Sequence, residues 1–226
     1  MSNRRRGTRE AILRAGRDIV RTRGFGALTF DAIARRLRFT KQAVIYWFPT
    51  KEDLVREISL SAVEAEAETT IAALDGAKNA GDAIARFVRA LVAHHLADLG
   101  RFRVTYLAVQ LSPRPDLIVP RDAIMTHIYP VTSRMYGALE AVFAADPAFP
   151  KTLVPRRAAV VVHTSALGLI VMLSLANSIA DPLAHATEDL IATLVAMLGA
   201  GARPVSGARA APRRVAGGAV RTRASS

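Results

Sequence analysis

Residues 9–23, REAILRAGRDIVRTR, set Ile12, Leu13, Gly16, Ile19 and Val20 on one stripe, with arginines on the other faces. The spacing predicts an amphipathic helix with Thr8 as its N-cap. Gly24, in the GFG that follows, suits the C′ position that ends it. Thr29 then reads as the N-cap of a short helix, FDAIARRL, with Phe30, Ile33, Ala34 and Leu37 inward and Asp31 near its positive end. After a break near Arg38 and Phe39, Thr40 caps a third helix from 41 to about 47, which stops because Phe48 precedes Pro49. TKED at 50–53 matches a capping box, so Thr50 opens a fourth helix.

The rest is longer-period. Helices are predicted near 51–74, 81–98, 101–111, 121–145, 151–179 and 183–199. The punctuation between them is DGAKNAGD, LG at 99–100, SPRPDLIVP, DPAFP and ADP. Strand-like alternation is rare, so the fold class is all-α. Residues 201–226 are Gly, Ala, Pro, Arg and Ser with little to bury, which reads as a disordered basic tail.

Charge divides the chain. The formal total is +12, with +9 on residues 1–50, −3 on 51–200 and +6 on 201–226. A basic unit on a slightly acidic body points to a polyanion partner held at one end. Cysteine is absent, which excludes disulfides and thiol chemistry. The basic N-terminus leads into no apolar stretch of a secretory signal. Motifs for acyl transfer, phosphate loops and zinc proteases are absent, so no enzyme, cofactor or metal is expected. Adjacent His94 and His95 cannot form an i, i+4 metal pair.

Three short helices with two tight breaks inside a basic stretch of about 50 residues form a helix-turn-helix pattern. Its second helix, 40–47, would enter the major groove of double-stranded DNA with Thr40, Lys41 and Gln42 foremost. Thr can reach phosphate or base, Lys phosphate or guanine, and Gln adenine. Ala43 allows close approach, Val44 faces inward, Tyr46 can offer its hydroxyl to the backbone, and Lys51 can pair with phosphate. Thr29 and Arg38 complete the candidate DNA-facing set.

TREAILRAGRDIVRTRGFGALTFDAIARRL…TKQAVIYWFPTKEDL resembles the N-terminal domain of TetR/AcrR-type transcriptional regulators over residues 8–58. Two positions depart from the family pattern. Arg38 stands where Gly is usual, so either Arg38 is strained or the turn differs. Ile45 holds the usual Tyr position, so Tyr46 and Trp47 take over the phosphate role, or Trp47 packs between the DNA domain and the fourth helix.

The resemblance implies a homodimer with a DNA-binding domain at 1–50 and a larger effector-binding and dimerisation domain at 51–200. It implies a repressor on a palindromic operator, released by a small, mostly hydrophobic effector, in the cytoplasm. Phe87, Leu91, Tyr106, Gln110, Met125, Tyr129, His163 and Leu167 are the expected effector contacts. Leu190, Leu194 and Met197 are the expected dimer contacts in the last helix. Its apolar stripe serves an intrachain core equally well. One alternative stays open: the uncharged run 158–180 is long enough to span a bilayer, which would make a membrane-tethered or architectural DNA-binding protein without an effector. His163, Thr164, Ser165 and Ser174 interrupt that run, so no membrane is expected.

Overall fold

Three of the four caps read from the sequence open their helices. In this computed structural model, which describes residues 3–107, 120–181 and 185–202, α1 spans Asn3–Arg23, α2 Phe30–Leu37, α3 Lys41–Trp47 and α4 Lys51–Ala73. Thr29 Oγ1 accepts from Ala32 N–H at 3.1 Å, and Thr40 Oγ1 from Ala43 N–H at 3.1 Å. Thr50 and Asp53 form the reciprocal capping box. Gly24 ends α1 at φ 81°, a region open to glycine, and its N–H donates to Val20 O. Thr8 is not the cap of α1: the helix begins at Asn3, because the arginines at 4–6 favour helix and Gly7 alone does not break it.

α5 spans Ala80–Leu96, capped by Asn79. The next break lies at Asp98 rather than at Leu99–Gly100, because the Asp98 carboxylate caps Arg101 N–H at 3.0 Å. α6 runs Leu99–Phe102 and continues as a π turn, Arg103–Leu107. α7 runs Arg121–Ala123, a π turn Ile124–Ile128, then Tyr129–Ala145. α8 spans Pro155–Ile179 and starts four residues later than 151, since Pro155 suits a first helical turn and residues 151–153 form a turn closed by Leu153 N–H to Pro150 O. α9 spans Thr187–Gly201. Leu183 and the tail beyond 202 lie outside the described residues. No strand occurs among the described residues.

Two apolar cores form. The first joins Ile12, Ile19 and Val20 of α1, Ile33 of α2, Val44 and Phe48 of α3, and Leu54, Val55 and Ile58 of α4. The second gathers α5, α7, α8 and α9 around Phe87, Leu91, Phe102, Met135, Leu139 and Phe143. The segment 99–107 belongs to both, since Phe102 fills the larger core and Val104 the smaller one. α4 likewise begins in the first core and ends in the second, with Ala67 and Leu74. α8 is long and apolar enough to cross a membrane by length and composition. In this fold one of its faces, with Ala159, Val162, Ala166 and Ile170, is buried in the larger core.

Candidate functional site

The α2–α3 connection is a tight turn. Arg38 adopts φ 56°, ψ 38°, the left-handed conformation that glycine serves at lowest cost. Its N–H reaches back to the last carbonyls of α2, and Phe39 N–H donates to Ala34 O at 2.9 Å. The turn is therefore of the glycine type, made with an arginine. It leaves Arg38, Thr40, Lys41 and Gln42 exposed around the start of α3.

Val44 and Phe48 are buried and lock the helix to the first core. Tyr46, on the other side, is 69% exposed. Trp47 is half-buried against the first core, with the Tyr46 ring edge-on at 5.5 Å. Of the two roles open to Trp47, packing on the first core is the contact the structure contains. Ala43 is half-buried, leaving a shallow helix face beside Gln42. Thr29 and Thr40, whose Oγ1 atoms accept from their helices, still hold a hydroxyl proton that can be donated to a phosphate. The Lys41 ammonium rests 3.0 Å from Asp31 Oδ2, both exposed. The Lys51 ammonium lies 4.4 Å over the Phe25 ring, and burial draws its pKa down. It is half-buried rather than freely exposed.

In the larger core the expected effector residues divide. Phe87 and Leu91 are buried, and Leu167 packs against the same core. Tyr106 and His163 meet at Glu66 of α4, which is 1% exposed and stands outside the expected effector set. Glu66 accepts from His163 Nε2 at 2.9 Å, from His95 Nε2 at 2.9 Å and from the Tyr106 hydroxyl. Tyr136 OH pairs with His163 Nδ1 at 2.8 Å. Met125 and Tyr129 do not join this group; they are exposed, Met125 on the π turn of α7 and Tyr129 directly after it. Gln110 lies outside the described residues.

Burial alone would push the Glu66 carboxyl up. Hydrogen bonds from His163 and His95 outweigh it and hold the pKa at about 2. Burial, and then the Glu66 charge, push both Tyr106 and Tyr136 up, so both phenols stay protonated as donors. The result is a fixed carboxylate inside an apolar core, surrounded by aromatic donors. One signal for it was present: Leu54, Ile58, Ala62, Glu66 and Thr70 repeat at i+4, which places the carboxylate on the buried stripe of α4.

The last helix divides too. Leu194 packs on the larger core, Leu190 is half-buried and Met197 is 69% exposed. Met197 shares its exposure with Val161, Met172, Leu175 and Ile179 of α8.

Comparison with known proteins accords with this geometry. Residues 12–58 match the family model for bacterial regulatory proteins of the tetR family. A search of curated protein sequences finds no match. Among solved structures, a tetR-family regulatory protein from Rhodococcus RHA1 superposes with TM-score 0.64 at 21% identity, covering 90% of this chain and 98% of that one. The TetR-family regulator PfmR from Thermus thermophilus gives 0.60 at 21%, covering 89% and 97%. A transcriptional regulator from Saccharomonospora viridis in complex with choline gives 0.63 at 16%, covering 85% and 96%. Residues 12–58 thus carry the motif of the tetR family, and the two-part helical fold is shared with solved regulators of that family.

Proposed function

We propose that this protein is a cytoplasmic, dimeric repressor that reads a palindromic operator with α3 and leaves it when a small effector binds the larger domain. The observation that carries the reading is the division of α3. Val44 and Phe48 anchor it, while Lys41, Gln42 and Tyr46 stand exposed at the end of a basic unit. Arg38, Thr29, Thr40 and Lys51 supply further phosphate partners, and Ala43 lets the helix approach the bases. In this reading residues 1–50 hold the DNA-reading unit, 51–200 the effector and dimer unit, and 201–226 a basic tail.

Dimerisation is proposed through α8 and α9. Val161, Met172, Leu175 and Ile179 fall on one stripe of α8, opposite its buried face, and Met172 is 60% and Ile179 64% exposed. Two copies related by a two-fold axis would bury that stripe with Met197. The effector would place its apolar body against Phe87, Leu91 and Leu167 and a polar group at Tyr106, His163 and Glu66. The choline complex of a protein with this fold supports a small organic molecule as the signal. The membrane-tethered alternative draws less support, because His163 of α8 bonds to Glu66 of α4, a contact within a helical domain.

Sedimentation of the native chain and of Met172→Glu tests the dimer. The native protein should sediment as a dimer. The variant should sediment as a monomer and lose most of its affinity for a two-half-site duplex. A monomeric native protein that binds such a duplex with full affinity would contradict the proposal.

A further inference from the structure

A groove of about 440 Å³ opens where the N-terminal end of α8 meets the C-terminal end of α9. Glu66, His95, His163, Tyr106 and Tyr136 take no part in its lining, so it is separate from the polar cluster. Its walls are apolar: Phe143 and Phe149 stack at 5.0 Å, and Leu153, Val161 and Met197 stand exposed there. Among the described residues no Asp or Glu lines it, and its one cation is Arg157.

The two neighbouring arginines differ in their commitments. Arg156 is committed to Ser133 O at 3.0 Å, Ser133 Oγ at 2.8 Å and Glu140 at 3.4 Å. Arg157 has no hydrogen-bond or ion-pair partner among the described residues and is exposed. α8 also begins without a side-chain cap and without an acid in its first turn. Positive charge at one point of an otherwise apolar groove complements an amphiphile with a single anionic head. The volume falls within the range of small-molecule sites, roughly 300–1,000 Å³.

We infer that this groove binds a medium-chain carboxylate, its chain against Phe149, Leu153, Val161 and Met197 and its head on the Arg157 guanidinium. Val161 and Met197 also belong to the face proposed for the dimer, so the bound chain would lie beside that seam. The inference does not depend on the effector proposed for the Glu66 cluster.

Equilibrium dialysis of the full chain against dodecanoate, held below micelle formation, tests it. Saturable uptake of one dodecanoate per chain is expected. Arg157→Gln should weaken it about fivefold, in line with an exposed ion pair. Leu153→Asp should weaken it about tenfold or more, by removing apolar contact and adding repulsion. Dodecyltrimethylammonium should not compete, and Tyr106→Phe should leave uptake unchanged. Uptake insensitive to both groove variants, or lost in Tyr106→Phe instead, would overturn the assignment. So would absence of saturable uptake; a sedimentation coefficient changed by Leu153→Asp would then give the groove to a second copy of the chain.

Discussion

Gly100 lies against the backbone of Arg21: a Cβ placed on Gly100 would sit 2.4 Å from Arg21 Cβ and 2.8 Å from its Cα. The start of α6 thus packs on the last turn of α1 at a distance only glycine permits. Four residues later Val104 enters the smaller core, and two beyond it Tyr106 bonds to Glu66. A single short segment therefore touches α1, the smaller core and the buried carboxylate. Gly100→Ala must push α1 and α6 apart, with backbone rather than a side-chain tip in the way. We expect a loss of about 1–3 kcal/mol in urea unfolding and weaker operator binding. An unchanged unfolding midpoint would show that the seam yields freely.

Arg38 gives a prediction of opposite sign for stability and binding. A non-glycine residue in the left-handed region costs about 1–2 kcal/mol, and glycine returns part of that as chain entropy. Arg38→Gly should leave stability unchanged or raise it by up to about 1 kcal/mol, while DNA affinity falls through the lost cation. Thermal unfolding and fluorescence anisotropy with labelled duplex read the two effects separately. A clear drop in melting temperature would mean that the Arg38 side chain stabilises the fold in a way the turn geometry does not show.

The α3 side chains divide by contact type. Gln42→Ala should relax base preference at one position per half-site, by about 1–3 kcal/mol of discrimination. Lys51→Ala should weaken all sequences alike and lower the salt slope by about one. Lys51 rests on the Phe25 ring, so that variant should also lose a little stability. Competition binding with a panel of single-base operator variants checks both. Preference unchanged by Gln42→Ala would shift the reading face of α3.

Acid should destabilise the protein in two stages. Arg101 donates to His94 Nε2 at 2.9 Å, so that nitrogen is an acceptor and the ring is neutral. Burial first, and then Arg101, lower the His94 pKa from 6.5 to about 4. Between those values the unfolded chain holds a proton that the folded one lacks, so stability falls as pH drops from 6.5 to 4. Glu66 extends the loss. Its folded pKa of about 2 lies below the ordinary value of 4.5, so its contribution is complete above 4.5 and fades toward 2. Urea midpoints measured across this range should decline in both windows, and His94→Gln should flatten the upper one alone. Glu66→Gln should cost about 3 kcal/mol or more near neutral pH, because it breaks a fully buried network. A decline that survives in full in His94→Gln would place the upper titration elsewhere.

The first four helices were legible in the sequence because their signals are local. Thr29, Thr40 and Thr50 each cap within three residues, and the inward positions of α1 to α3 follow the helical period. Thr8 misled because a cap-forming residue can also continue a helix. Glu66 was hidden for another reason. VEAEAETT reads as a solvated acidic face, and Glu64 and Glu68 are indeed exposed. Only the apolar run Leu54, Ile58, Ala62 one turn at a time earlier marks Glu66 as inward, and its histidine partners are 29 and 97 residues away. The π turns at 103–107 and 124–128 have no local signature at all, since they answer to packing between helices.

Selection of binding sites from random duplex DNA by the full-length protein tests the central claim most directly. A dimeric reader of a palindrome should enrich one with half-sites one helical turn apart, about 34–36 Å, and Met172→Glu should lose that enrichment. Binding that is steep in salt but enriches no sequence would contradict it.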